Sequence, residues 1–310
     1  MRDNLAGVQS PVLKEILRHA LESGGKRIRP QLTVLGYGLV DAGESKSPVQ
    51  VLNLAIVFEY LHAASLLHDD IIDHATIRRG KPSANTIWGP GPVILAGDFL
   101  HARALSVAGS LCGATGVSLV GGATEAMVEA EFLQADIAMR RDLSVDQYFE
   151  VIKGKTGALI AAAGEAGVFL AGGNNAQRRA IRFYGEKIGL AFQVVDDLLD
   201  YQGDPEVTGK AVGNDWLEGK MTLPMILALM EADEVDRPWL LGLLSGSREV
   251  REEQLSEVGL KLEGLDGFLG ARRVAQELID QACSALSVFS PSREREVLVG
   301  LAEYVVNRKK

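Results

Sequence analysis

Cysteine is scarce: Cys112 and Cys283 are the only two in the chain, and they form no CxxC pair. That argues against a disulfide framework and against a thiolate zinc site. Positive charge is also in deficit. The net charge of −9 speaks against a general nucleic-acid-binding surface and leaves room only for local basic clusters. The opening "MRDNLAGVQSPVLKEIL" lacks the basic start and apolar run of a signal peptide. No stretch reaches about 18 uninterrupted apolar residues. The nearest, "TGALIAAAGEAGVFLAGG", carries Glu165 in its middle and reads as a tightly packed internal helix. A cytoplasmic setting is expected. No β-branched run of period two stands out, no composition break marks a linker, and no short fixed period marks a repeat array.

What is present is helical periodicity in a chain of 310 residues that is 47% hydrophobic, enough for a large core. "SPVLKEILRHALES" places Val12, Leu13, Ile16, Leu17 and Leu21 on one stripe, with Ser10 as N-cap and Pro11 at the first helical position. "VQVLNLAIVFEYLHAASLLHDDIID" is apolar on nearly every side, as a central helix would be. Further helices are predicted over roughly 97–111, 116–139, 144–172, 175–201, 221–231, 251–262, 268–287 and 293–308. The expected fold is all-α, with residues 1–310 forming a single domain. The Gly-rich interval "YQGDPEVTGKAVGNDWLEGK", 201–220, reads as a functional loop within it.

Against this apolar background, two acidic motifs echo each other. "LLHDDIID" carries Asp69, Asp70 and Asp73; "QVVDDLLD" carries Asp196, Asp197 and Asp200. In a helix, residues four apart share a face and the middle one lies about 100° around. Like charges so placed destabilise a helix, more so when desolvated, and here they are flanked by aliphatic residues. A hard divalent cation removes the conflict. All-oxygen clusters suit Mg²⁺, which is usually held by one or two carboxylates together with substrate phosphates.

Counter-charges for a phosphorylated ligand are at hand. "SGGKRIRP" offers Lys26, Arg27 and Arg29; "IRRGK" offers Arg78, Arg79 and Lys81; "KGKTG" offers Lys153, Lys155 and Thr156; Lys210 and Lys220 lie in the Gly-rich loop. Together with the acidic motifs they suggest a diphosphate site. Counting back from Asp69 at about 100° per residue, Ser65, His62 and Phe58 fall on its side of the helix. The other histidines show no partner pattern.

With "GGKRIRP", "LLHDDIIDHATIRRGKPSAN", "LAGDFLHARAL", "EFLQ", "KGKTGAL", "GLAFQVVDDLLD" and "GKAVGNDWLEGKMTLP" occurring in order, the chain resembles the trans-isoprenyl diphosphate synthases, or polyprenyl synthetases. The resemblance implies helices around a deep central cavity, usually in a homodimer, and condensation of isopentenyl diphosphate with an allylic prenyl diphosphate. It implies Mg²⁺, three ions per loaded site, on Asp69, Asp73 and Asp196, supported by Asp70, Asp197 and Asp200. Arg78, Lys155, Thr156, Gln193, Lys210 and Lys220 match positions that hold the allylic diphosphate. Lys26, Arg29, His62, Arg79 and the Gly25 backbone match those that bind isopentenyl diphosphate. Lys155, Lys210 and Lys220 thereby join the six aspartates as catalytic candidates. Product release implies at most peripheral membrane contact.

Product length is expected to depend on the helix leading to Asp69. Ala64 and Ser65, one turn back, are small, where shorter-chain members commonly carry a bulky residue. Each turn is about 5.4 Å, on the order of one isoprene unit, so Leu61 and Phe58 are candidates for a deeper floor. A long-chain product of the quinone side-chain type is expected, with geranylgeranyl or farnesyl diphosphate as alternatives. A rival of another class is a non-catalytic subunit that only binds prenyl diphosphates, though such subunits typically lose aspartates from one motif. A terpene cyclase or head-to-head synthase has less use for "GGKRIRP". Departures from the family pattern are small: Ala130 replaces a common Gly, and Trp216 a more usual Leu.

Overall fold

Helix starts follow their capping residues. The Ser10 hydroxyl accepts from the Leu13 N–H at 3.3 Å. Ser47 with Gln50, and Ser144 with Gln147, form reciprocal capping boxes. The structure is a computed structural model that describes residues 5–22, 24–40, 47–140, 143–202 and 213–308. In chain order its elements are α1 (Pro11–Glu22), α2 (Ile28–Gly38), α3 (Pro48–Ile72), β1 (Ile77–Arg78), β2 (Lys81–Pro82), α4 (Ala84–Trp88) and α5 (Pro90–Arg140). There follow α6 (Val145–Ile152), a π-helical turn (Lys153–Gly157), α7 (Ala158–Leu170) and α8 (Asn175–Gln202). Last come α9 (Asn214–Leu217), α10 (Leu223–Glu231), α11 (Asp236–Leu244), α12 (Arg248–Gly264), α13 (Gly267–Ala285) and α14 (Arg293–Asn307).

The all-α expectation holds, with one antiparallel two-residue hairpin, β1–β2, as an addition. Four helices, α2, α4, α9 and α11, were not legible as helices, and α9 falls within the interval expected as a loop. Helix α5 begins at Pro90 rather than at 97, and its expected break falls at Gly113, whose φ of 59° and ψ of −146° are not helical. The segment expected as one helix over 144–172 is α6 and α7 joined through the π-helical turn.

By contacts the chain divides into two compact units. The first comprises residues 1–125, 159–185 and 288–295. Its centre is α3, which packs on α1 and α2 and buries Leu54, Val57, Phe58 and Leu61 almost completely. Helices α3 and α5 are long and apolar enough to cross a membrane by length and composition, but these buried residues show that the apolarity of α3 serves the core. Glycines let α2 and α7 approach closely. A Cβ on Gly167 would sit 2.1 Å from the Thr33 carbonyl oxygen, and one on Gly36 would sit 2.6 Å from that of Gly164.

The second unit comprises residues 126–158, 186–287 and 296–310. In it α10 packs on α6 and α13, and α12 packs on α9, α11 and α13. Trp216 of α9 is fully buried, and its indole N–H donates to the Arg251 carbonyl at 2.8 Å. The Arg251 guanidinium in turn donates to the carbonyls of Leu217, Leu244 and Gly246. The unusual Trp216 thus anchors the segment beside Asp215.

Candidate active site

The first acidic motif closes α3. The Asp73 N–H donates to the Asp69 carbonyl at 2.8 Å, so the two residues stand one turn apart as expected. Asp73 is exposed and Asp69 half-buried, whereas Asp70 is buried. Its Oδ1 accepts from Arg78 Nε at 2.7 Å and lies 2.5 Å from a second Arg78 nitrogen. Arg78 therefore braces the motif from β1. Its neighbour Arg79 occupies the hairpin turn with Gly80, both at positive φ (53° and 74°), as a two-residue type I′ connection requires.

Arg79 reaches back to the Gly24 carbonyl. A Cβ on Gly25, whose φ is +132°, would lie 3.1 Å from the Arg79 guanidinium, so glycine is needed for both conformation and space. Arg27 is also in the left-handed region, at φ 53°, and binds Glu59 and the Leu21 carbonyl. Such positive φ at residues with side chains is concentrated at functional sites. Arg29 has a buried Nε with no hydrogen-bond partner. Burial lowers its pKa to about 10, with Glu59 opposing the fall and Arg79 adding to it. His62 sits among these groups. Burial, then repulsion from Arg29, Arg79, Arg27 and Arg78, lowers its pKa to about 2, so the imidazole is neutral. Lys26 is exposed.

In the second unit the motif lies in the last turns of α8. Asp197 is buried; its carboxylate accepts from the Tyr148 hydroxyl at 2.6 Å and from the Gln193 amide at 3.0 Å. Burial raises its pKa to about 7; these hydrogen bonds oppose the rise, while Asp215 and Asp196 add to it. Asp200 accepts from the backbone N–H groups of Asn214 and Asp215 at 3.1 and 2.9 Å, tying down the chain that enters α9. The side chain of Asp196 is 44% exposed, and its Oδ1 lies 2.5 Å from Arg308.

Lys155 and Thr156 stand on the π-helical turn. Such wide turns recur at functional sites, and this one brings Gly154 against α5, where a Cβ would lie 2.6 Å from both the Ala126 oxygen and the Ala130 Cβ. The Lys155 ammonium lies 2.7 Å from Glu131 and donates to Gln134 at 3.0 Å. The Thr156 hydroxyl donates to Gln193 Oε1 at 3.2 Å, so Thr156, Gln193, Asp197 and Tyr148 form one chain of hydrogen bonds. Lys220 pairs with Glu218 at 2.7 Å and Asp215 at 3.4 Å. Lys210 and most of its loop lie outside the described residues.

Of the chain-length positions, Phe58, Leu61 and Ala64 are fully buried. Ser65 is half-buried and its hydroxyl donates to the His62 carbonyl at 3.0 Å. A pocket beside Asp70 follows a neighbouring stripe of α3, Ala63, Leu66 and Leu67, with Arg78 and Arg79; none of the four chain-length positions lines it.

The donor chemistry fits Mg²⁺. Asp69, Asp73 and Asp196 offer hard carboxylate oxygens, and two of the three residues retain substantial exposure. Among the described residues no group of three or more His, Cys, Asp or Glu side chains converges on one metal-sized point.

Sequence reasoning missed Glu59, Tyr148 and Arg308. Glu59 had a signal, a carboxylate three residues before His62 in an otherwise apolar helix. The other two had none, because their partners lie 49 and 112 positions away.

The family model described as Polyprenyl synthetase matches residues 10–259. A short chain isoprenyl diphosphate synthase from Methanothermobacter thermautotrophicus is 34% identical over 100% of this chain and 94% of its own length. The octaprenyl diphosphate synthase of Escherichia coli is 33% identical over 98% of this chain and 96% of its own. Among solved structures, a polyprenyl synthase from Caulobacter crescentus complexed with calcium and isoprenyl diphosphate aligns with a TM-score of 0.88 at 33% identity, covering 99% of this chain and 92% of that one. With the motifs intact and the match running through both units, the chain belongs to the polyprenyl synthetase family of prenyltransferases.

Proposed function

We propose that the protein condenses isopentenyl diphosphate with an allylic diphosphate to make a long-chain all-trans polyprenyl diphosphate, of the kind used as a quinone side chain. The observation that carries this reading is the group of Arg27, Arg29, Arg78 and Arg79 around a neutral His62, with the Arg29 Nε buried and unpartnered. Arg27 and Arg78 are paired with Glu59 and Asp70, while the buried Arg29 and the exposed Arg79 leave positive charge that a diphosphate would complement. Lys26, Arg29, His62, Arg79 and the Gly25 N–H hold isopentenyl diphosphate. Arg78, Lys155, Thr156, Gln193, Lys210 and Lys220 hold the allylic diphosphate.

Asp69, Asp73 and Asp196 hold Mg²⁺, three ions in the loaded site, with Asp70, Asp197 and Asp200 fixing the ligands. When bound, the ions act as Lewis acids on the departing diphosphate. The lysines and arginines add preorganised charge where negative charge develops as the allylic C–O bond breaks. The isopentenyl double bond then attacks the allylic carbon, and a proton leaves to released diphosphate, so no side chain has to be a strong base.

The family model spans both units, which supports reading them as one catalytic domain. A homodimer is part of the reading. A cytoplasmic location, with peripheral membrane contact only for product release, completes the reading. The named relatives include both short-chain and octaprenyl synthases; small residues at Ala64 and Ser65 favour the longer product. Purified protein incubated with Mg²⁺, labelled isopentenyl diphosphate and farnesyl diphosphate should yield products well beyond geranylgeranyl. Binding without incorporation of label would overturn the catalytic assignment.

A further inference from the structure

Arg308, just beyond α14, is almost completely buried, with 2% of its side chain exposed. Its guanidinium stacks over the Phe192 ring at 3.8 Å from the centroid. One nitrogen donates to the Phe192 carbonyl at 2.8 Å and to Asp196 Oδ1 at 2.5 Å. Phe192 and Asp196 are four apart on α8, so one turn of that helix clamps the group. Its Nε is buried and has no partner. A guanidinium cannot shed its charge at any working pH, and once desolvated it depends on Asp196 for neutralisation.

We propose that Arg308 is an internal counter-ion for Asp196 that competes with the divalent cation for Oδ1. This rests on the reading of Asp196 as a metal ligand. The Arg308 guanidinium offsets the repulsion between the neighbouring Asp196 and Asp197. An arriving cation must displace the guanidinium from Oδ1 or share that oxygen with it. The second motif therefore takes metal weakly on its own. It takes metal more readily once a diphosphate brings anionic oxygens that can face the released guanidinium.

Mn²⁺ binding to the substrate-free full chain, followed by electron paramagnetic resonance, tests this. The component lost in Asp196→Asn reports the second motif. In Arg308→Gln, which keeps a planar group for Phe192 but removes the charge, that component should bind about tenfold tighter. Equal or weaker binding would overturn the proposal. If Asp196→Asn loses no Mn²⁺ at all, it is the reading of Asp196 as a ligand that fails. A second measurement needs no variant. Hydrogen exchange over residues 300–308 of the unaltered protein should speed up when Mn²⁺ and inorganic diphosphate are added together, and unchanged or slower exchange would overturn the displacement.

Discussion

His62 offers the sharpest test of the arginine cluster. An imidazole with a native pKa near 2 takes up a proton when the chain unfolds at any pH below its ordinary value of about 6.5. The unfolded state then binds more protons than the native state, so His62 makes stability rise with pH through this window and level off above it. At pH 5 an unfolded histidine is about 97% protonated, so unfolding should take up about one proton at this residue. The accompanying loss of stability between pH 7 and pH 5 is about 2 kcal/mol. Any native pKa below about 4 gives nearly the same figure, so the result does not hinge on how far the four arginines push it.

The perturbation is His62→Gln, which keeps a polar side chain and removes the titration. Proton uptake on unfolding is measured at pH 5 by calorimetry in buffers of different ionisation enthalpy. This readout needs no two-state transition, which two compact units need not supply. The buried Asp197, with its raised pKa, gives up its proton on unfolding in this range, opposite in sign, and cancels in the difference between variant and wild type. The wild type should take up about one proton more than the variant. Equal uptake would mean that His62 is protonated in the native state, so that burial and the four guanidinium groups together do not hold it neutral.

Tyr148→Phe removes the donor to Asp197 and should cost about 2 kcal/mol of stability. It should also lower turnover and raise KM for the allylic substrate while leaving KM for isopentenyl diphosphate unchanged, which initial-rate kinetics will show. Gly167→Ala forces a methyl group into the Thr33 carbonyl and should lower stability by about 3 kcal/mol. Gly121→Ala, with nothing within 4 Å, is the matched control and should be neutral or stabilising by up to about 1 kcal/mol; thermal melts separate the two. Ser65→Phe should shorten the product, read by chromatography of dephosphorylated prenols; an unchanged length would rule out the path along this face of α3. Chelation of divalent ions should abolish condensation, and Mg²⁺ should restore it.

What the sequence disclosed were charges gathered in short windows. The six aspartates, "GGKRIRP" and "KGKTG" each announce a local electrostatic problem that needs a ligand, whatever the tertiary fold. What it hid were solutions supplied from a distance. Nothing in "NRKK" distinguishes Arg308 from a solvated basic end, because its burial depends on stacking against Phe192. Nothing in "KGKTG" announces a π-helical turn, because the constraint comes from Ala126 and Ala130 lying against Gly154. Helix α2 was masked by Pro30 and two glycines. Pro30 falls in its first turn, where proline is tolerated, and Gly36 gives α7 room to approach at Gly164.

The echo between "LLHDDIID" and "QVVDDLLD" has a physical content that the spelling alone does not carry. In both motifs the second aspartate of the pair is buried and held by a dedicated donor from another element: Asp70 by Arg78, Asp197 by Tyr148. In both, the first aspartate, Asp69 or Asp196, is only half-buried. The adjacent acids thus differ in burial, and the half-buried Asp196 has its own partner in Arg308. The fourth position differs. Asp73 stays exposed at the end of α3, whereas Asp200 is spent on the backbone of Asn214 and Asp215. One motif thus ends on an exposed carboxylate and the other on one tied to the chain that enters α9, so the echo in sequence does not extend to the surroundings of the last aspartate.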